Sequence, residues 1–374
     1  MTKAPVASTE MTRRGFGQSF VASVSFPILV GSLAGCGKMT AGLSKAGSGV
    51  GGRDAALLLP LTGAASALGQ NMARAASLVT QTADAGTAPQ VYDTADTPAG
   101  AAAAAQKALA AGAKLLLGPL RADQTPAVLA VAGNVPVISF SNDDSLAAQG
   151  AFVMGITPGQ SVATMFSYAR AQGITNIAVV AREGPLGSAS VQAAQATAAA
   201  GGINLTAALL RDPTAGGLVS ALKQASGGNM PAAVFIPDGG AALQAFAAAL
   251  KGSGTQILGS VQWGISDVAD DSNLAGAWFA APPPDLFVPF ADRFQAAFGE
   301  QPGAVAALGH DAALLAVGLG NARALNRKGV TRAAGFTGVL GAFRFLANGR
   351  CQRDLTVLGI EGGNIVVLGE VAGT

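Results

Sequence analysis

The stretch KLLLGPLRADQTPAVLAVAGNVPVISFS, Lys114–Ser141, decides the fold. It reads as a buried strand over Lys114–Leu117, a tight turn at Gly118-Pro119, a helix over about Asp123–Ala132 and a second buried strand over Val135–Ser139. Continuous apolar runs such as LLL and VPVI suit parallel strands covered on both faces. Two parallel neighbours need a crossover, which the helix supplies. In such a sheet, ligands sit beyond the carboxyl ends of the strands. Those ends lead here into Leu120-Arg121-Ala122-Asp123 and Ser141-Asn142-Asp143-Asp144. The two loops are expected to form one wall of a cleft, with Leu120, Asp123, Ser141, Asn142 and Asp143 as candidates to touch a ligand.

Outward from this unit the pattern repeats. Before it, Ala55–Leu59 reads as a strand, followed by the turn Pro60-Leu61-Thr62-Gly63, whose Thr62 and Gly63 also stand at a strand tip. A helix to about Asp84 carries Leu68, Met72, Ala75, Ala76 and Val79 on one face. Gln90–Tyr92 is a short strand, and Ala101–Ala111 is almost pure helix former behind Pro98. After it come strand Phe152–Ile156, helix Val162–Gln172, strand Ile177–Ala181, helix Ser188–Ala200, strand Ile203–Leu209, a helix near Leu218–Ala225, strand Ala233–Ile236, helix Ala241–Leu250, strand Gln256–Gly259 and strand Ala277–Ala281. Two strand–helix series in tandem predict an α/β protein of two doubly wound, Rossmann-like lobes. The loops at the second lobe's strand tips are Arg182–Gly187, Pro237–Gly240 and Val261–Asp267. They offer Leu186, Asp238 and Trp263 as cleft candidates, although core packing explains Trp263 equally well. Pro282-Pro283-Pro284 is stiff and reads as a crossing between lobes. Helices over Phe287–Phe298 and Gly303–Gly320 follow, then short strands Gly341–Leu346, Leu355–Ile360 and Ile365–Leu368, joined at Asn348-Gly349 and Gly362-Gly363-Asn364.

The chain has 374 residues, room for two domains of about 100–200 residues each. It is 50% hydrophobic and 12% charged, yet outside the first 36 residues no apolar run reaches the roughly 18 residues of a membrane span. The net charge of +2 arises entirely before Cys36, leaving a balanced remainder with no electrostatic footprint for nucleic acid. One histidine and two cysteines exclude most zinc sites and leave little for a nucleophilic triad. No catalytic constellation, metal site or cofactor motif is expected. His310-Asp311 lies within a helical pattern, where adjacent residues do not face each other, and reads as structural. Gly318-x-Gly320 follows a helix rather than a strand, and Gly37-Lys38 lacks the spaced glycine and following Ser or Thr of a phosphate loop. Asp270-Asp271 reads as a solvated loop pair.

Residues 1–35 carry the marks of an export signal: Arg13 and Arg14, then the apolar run Ser19–Ala34. Leu33-Ala34-Gly35-Cys36 resembles the lipobox of bacterial lipoproteins, in which the cysteine thiol takes a diacylglycerol; an ordinary cleaved signal is the alternative. Thr12-Arg13-Arg14-Gly15-Phe16 resembles a twin-arginine signal, leaving that route and the general secretory route both open. Residues 36–53 are Gly/Ser-rich and read as a flexible tether. With Cys36 acylated, Cys351 is a lone thiol in a strand, expected to be inert packing.

With these pieces in place the chain resembles the type 1 periplasmic binding proteins, in their leucine-binding branch. Leu57-Leu58-Leu59-Pro60-Leu61-Thr62-Gly63, Gly118-Pro119-Leu120, Val135-Pro136-Val137-Ile138-Ser139 and the Gly341–Arg350 hairpin carry the likeness. Within that branch it is similar to bacterial lipoproteins that activate penicillin-binding proteins, through Trp263 and Ala277-Trp278-Phe279-Ala280-Ala281-Pro282. The resemblance implies two lobes joined by three crossings, with a hinge and a ligand cleft between them. The first lobe would hold 54–157 plus about 285–330, the second 158–284 plus about 331–374. It implies amino-acid or related small-solute uptake with an ABC transporter in the membrane or, alternatively, regulation of a penicillin-binding protein in cell-wall synthesis. Either way the protein would sit on the periplasmic face of a bacterial membrane, held by its lipid alone. Amino-acid binders of the family hold the ligand carboxylate with hydroxyls and N–H groups at the places occupied here by Asp123 and Asp143. A carboxylate facing a carboxylate is repulsive by about 4 kcal/mol at about 4 Å and an effective dielectric near 20. The aromatic usual in the third cleft loop is Leu186 here. A helix N-cap for Asp123 and a solvated turn for Asp143 and Asp144 are the plainer readings.

Overall fold

The computed structural model describes residues 54–83, 86–264 and 268–373. The expected signal sequence, Cys36 and the expected tether lie outside the described residues, as does the end of the loop at 265–267.

The first sheet holds β1 (Ala55–Leu59), β2 (Gln90–Asp93), β3 (Leu115–Leu117), β4 (Val137–Ser139) and β5 (Phe152–Val153), all parallel, in the order β2-β1-β3-β4-β5. The expected strand Phe152–Ile156 is thus confined to its first two residues. Its helices are α1 (Ser66–Thr80), α2 (Pro98–Ala110), α3 (Thr125–Ala132) and the short α4 (Ser145–Ala148). Successive residues of β1 point to opposite faces. Ala56 and Leu58 pack on Ala101, Ala105 and Val128 of α2 and α3, whereas Leu57 and Leu59 pack on Met72 and Ala75 of α1. Both faces are covered, which is why the run is apolar throughout.

The second lobe begins with α5 (Pro158–Ala171) and alternates β6 (Asn176–Ala181), α6 (Pro185–Ala200), β7 (Asn204–Leu210), α7 (Leu218–Ala225), β8 (Ala233–Ile236), α8 (Gly240–Leu250), β9 (Gln256–Gly259) and β10 (Trp278–Ala281). Helix α5 starts four residues before the expected Val162. Thr157 and Gln160 form a capping box around Pro158 in the first turn, a T-P-x-Q signal that satisfies the orphan N–H groups.

The chain then runs through α9 (Pro284–Phe298), α10 (Ala304–Asn321), the short α11 (Arg327–Val330), β11 (Phe336–Gly338), β12 (Gly341–Phe345), β13 (Cys351–Arg353), β14 (Leu355–Glu361) and β15 (Asn364–Val371). Helices α9 and α10 return to the first lobe, where Phe290, Phe294, Ala312 and Leu315 share the core of α1. Among the described residues, α10 alone is long and apolar enough to cross a membrane, but 61% of it is buried inside the protein, as befits a core helix. It crosses α1 at Gly309, where a Cβ would lie 2.3 Å from the Met72 carbonyl oxygen. Gly309→Ala gains about 1 kcal/mol of helix propensity. It must also push two backbones apart, and overpacking costs about 1–3 kcal/mol or more. We expect a net loss of about 1–2 kcal/mol in urea denaturation; a stabilised variant would contradict this packing.

The tail divides, which differs from the expectation that everything after about 331 belongs with the second lobe. Strands β14 and β15 do extend the second sheet, in the order β15-β14-β10-β9-β8-β6-β7. Strands β11–β13 instead form a separate antiparallel sheet that joins the first lobe's core. Phe345 meets Phe152 edge-on at 5.5 Å, and the Val153 N–H donates to the Gly349 carbonyl at 3.0 Å. The aromatics Phe336, Phe343 and Phe345 need a large apolar partner, and their alternation along the strand does not say which sheet supplies it.

The lobes meet at three crossings, after β5, at Pro282-Pro283 and between β13 and β14. Arg353, 1% exposed, donates to the Leu340 carbonyl at 3.2 Å and the Met154 carbonyl at 3.1 Å, with its guanidinium 4.8 Å from the Phe343 ring centre. It thereby ties the first crossing to the third.

Candidate functional site

A groove of about 1140 Å³ lies between the lobes. One wall is the loop after β4, Asn142–Ser145, with Asn348 and Arg350 of the β12–β13 hairpin; the other is the face of α6 from Pro185 to Ala200 and the first turn of α5. At its inner end Asn142, Thr157, Pro158 and Leu186 also border a hollow of about 10 Å³, reached by Ser190, Ser161 and Ser260.

Of the sequence candidates, Asn142, Asp143 and Leu186 line this groove. Ser141 sits just behind it, 6% exposed, its hydroxyl accepting the Asp143 N–H at 3.1 Å. Asp143 accepts the Ser145 N–H at 2.9 Å, so the turn reading describes its bonding although its side chain also borders the groove. The other candidates lie elsewhere. Asp123 neither lines the groove nor caps α3, whose N-cap is Gln124; it pairs with Arg121 at 3.3 Å on an exposed turn. Leu120 packs on the first-lobe core. Asp238, 2% exposed, accepts the Arg182 N–H at 2.9 Å and stitches two strand tips together. Trp263, 4% exposed, stacks on Phe279 at 5.6 Å and donates its indole N–H to the Ile236 carbonyl at 3.0 Å. Its reading as core packing holds, because Gly259 leaves the indole a flat seat that a Cβ would fill at 2.3 Å.

Thr62 and Gly63 belong to a self-contained knot at the first lobe's strand tips. Asp93 accepts the Thr62 hydroxyl at 2.7 Å and the N–H groups of Leu61, Thr62 and Ala95 at 2.9, 3.2 and 2.8 Å. Partial burial pushes its carboxyl up, but these four bonds together outweigh that and hold it below the usual carboxylate range. Asp96 likewise accepts the Ala65 N–H at 3.0 Å. Donors that could have met a ligand anion are therefore already taken. A depressed carboxyl stabilises above its unfolded pKa, and the contribution fades as pH falls through the folded value. Asp93→Ala should lower the melting temperature at pH 7 by about 2–4 °C, given the exposure of the site. The gap to the wild type should close as pH is taken well below about 4; a gap that persists unchanged at low pH would contradict this account.

Two acidic and two basic side chains line the groove: Asp144 pairs with Arg350 at 3.6 Å, the Arg353 guanidinium is spent on carbonyls, and Asp143 keeps its charge with only the Ser145 N–H as partner among the described residues. The sequence reading missed the hairpin wall and the α6 face. Leu186, Ala189, Ala193, Ala196 and Ala200 recur at helical spacing, a visible stripe of small residues. What that stripe faces depends on how the lobes meet.

His310 and Asp311 do touch, at 3.2 Å, against the expectation for helical neighbours, because both side chains bend into the same buried space. Asp311 accepts the N–H groups of Val339 and Leu340 at 2.8 and 3.1 Å, and His310 meets Arg293 at 3.3 Å. This is a clamp on the β11–β12 turn, with no nucleophile in the set. Burial pushes the Cys351 thiol up, which keeps it protonated and unreactive. Among the described residues, no group of three His, Cys, Asp or Glu is placed to hold a metal ion.

Two doubly wound lobes, joined by three crossings around an open groove, define the class of two-lobed α/β binding proteins. The chain belongs to the periplasmic binding protein family, whose profile matches residues 54–364. No curated protein matches its sequence. Among solved structures it is similar to a putative branched-chain amino acid ABC transporter protein from Rhodospirillum rubrum, with 20% identity, TM-score 0.73, and 84% of this chain and 99% of that one covered. It is also similar to the C-domain of LpoA from Haemophilus influenzae, described as a regulator of PBP1A, with 20% identity, TM-score 0.65 and coverage of 84% and 99%. Leucine-binding protein LivK from Thermotoga maritima aligns with 19% identity and TM-score 0.59, over 85% of this chain and 98% of its own. At these identities the likenesses speak for the fold.

Proposed function

We propose that the protein is an extracytoplasmic receptor whose lobes close on a small solute and present it to an ABC transporter. The observation that carries this reading is the 1140 Å³ groove whose walls come from different lobes. A ligand touching both walls favours closure about the crossings, a hinge motion. The reading is tested by a thermal-shift screen of amino acids, amides, aromatic carboxylates, short peptides and peptidoglycan fragments. A true ligand at about 100 times its dissociation constant adds about 2.7 kcal/mol, which is about 3–5 °C at this size. No shift with any class would overturn it.

A second reading, a regulator that docks on a penicillin-binding protein, draws on one feature: among the described residues, no aromatic ring lines the groove. It predicts recovery of such a synthase in a pull-down together with silence in the solute screen.

Both readings have the protein on the periplasmic face of a bacterial membrane, held through Cys36. Cys36→Ser should move it from the membrane to the soluble fraction and remove labelled fatty acid from the band. Retention in the membrane with unchanged labelling would contradict the anchor.

A further inference from the structure

The groove is longer than a single amino acid needs. Along its wall α6 rises about 22 Å from Pro185 to Ala200, at about 1.5 Å per residue. An extended chain advances about 3.3 Å per residue, so this length matches about six residues. The volume likewise exceeds the roughly 300–1,000 Å³ of an ordinary small-molecule pocket.

The lining says what would fill it. With Asp144 and Arg350 paired to each other, Asp143 is the charge left without an ion pair on the walls among the described residues, and its carboxylate already accepts the Ser145 N–H. The other free groups are neutral and bivalent. Asn142 on one wall and Gln192 on the other are exposed and line the groove, and their side chains make no hydrogen bond among the described residues. A carboxamide offers donor and acceptor side by side, the complement of a peptide unit. At the inner end, the Ser190 hydroxyl is 0% exposed and has no hydrogen-bond partner among the described residues, although Ser190 borders the small hollow that continues the groove. A buried hydroxyl without a partner is costly, and in a hollow with room for about one water it would gain one through a water held by a ligand's polar end group at the mouth. The Ala189, Ala193, Ala196 and Ala200 positions keep the α6 wall low enough for a backbone to lie against it.

We propose that the groove binds a polypeptide in extended form, about four to six residues long, with its inner end at Ser190 and its peptide units bridged by Asn142 and Gln192. This rests on the receptor reading and names its ligand class. The same chemistry could come from a free peptide or from a segment of a partner protein.

The test is calorimetric titration of the full chain with tetra- and hexapeptides of alanine, each with free ends and with both ends capped, against free alanine and leucine. The peptides should bind and the single amino acids should not. Gln192→Ala and Ser190→Ala should each weaken binding about two- to ten-fold, the loss of one neutral hydrogen bond. Ala196→Trp should abolish binding while the melting temperature without ligand stays put, since Ala196 is exposed. Tighter binding of free-ended peptides identifies a free peptide; equal or tighter binding of capped ones identifies a protein segment. Silence of every peptide would overturn the ligand class, whether or not alanine or leucine binds. The receptor reading falls only if the wider thermal-shift screen is silent as well.

Discussion

Asp311→Ala is expected to cost about 3–5 kcal/mol of folding stability. The carboxylate is 1% exposed and accepts the Val339 and Leu340 N–H groups. Hydrogen bonds to charged groups contribute about 1.5–3 kcal/mol each, and alanine would leave two buried donors with neither partner nor water. The turn they belong to is held from its other side as well, because the Leu340 carbonyl accepts from buried Arg353. Asp311 and Arg353 thus grip one peptide segment between opposite charges, and Arg353 passes the grip on to Met154 at the first crossing. Losing either group should loosen the region where the lobes join. Asp311→Asn is no rescue: it keeps one acceptor but turns an NH₂ group toward the second N–H, so it should lose a comparable amount. Chemical denaturation measures both variants. A loss under about 1 kcal/mol would mean that the turn does not depend on the clamp.

Trp263→Ala should cost about 3–5 kcal/mol, the usual range for deleting a large buried aromatic. The indole is stacked on Phe279 and donates to the Ile236 carbonyl, and both would be lost with a cavity left behind. Trp263→Phe keeps the stacking and leaves that carbonyl without its donor, so about 1–2 kcal/mol is expected. The same pair of variants separates packing from ligand contact. With Trp263 in the core, the Phe variant should bind solute as the wild type does. A Phe variant that keeps its stability but loses solute binding would put the ring in the cleft instead.

Most of the fold is legible in the sequence because its signals are local. Continuous apolar strands, a Thr-Pro-x-Gln helix start and Asn-Gly between short strands each act over a few residues. Both lobes, the return of α9 and α10 and the crossing at Pro283 follow from such signals together with the family resemblance. What escapes the sequence is long-range. The strands carrying Phe336, Phe343 and Phe345 fall to the wrong lobe in a sequence reading because alternation gives a face and not a partner. The candidate site is legible in part for the same reason. Asn142, Asp143 and Leu186 follow strand tips and line the groove. Thr62 and Asp238 stand at strand tips too, yet Asp93 and Arg182 tie them into the scaffold. Gln192 and Ser190, the free polar groups on the far wall, lie within a helix, where no strand-tip rule points.

If the two walls approach each other over a bound solute, the distance between them reports it most directly. Spin labels at Asn348→Cys and Ser188→Cys would measure that distance; both sites are exposed and stand on opposite lobes. Cys351, buried, should escape labelling, and Cys36 would be replaced by serine. On saturation with a solute that raises the melting temperature, the distance distribution should shorten and narrow to a single population. An unchanged distribution at saturation would contradict the closing groove.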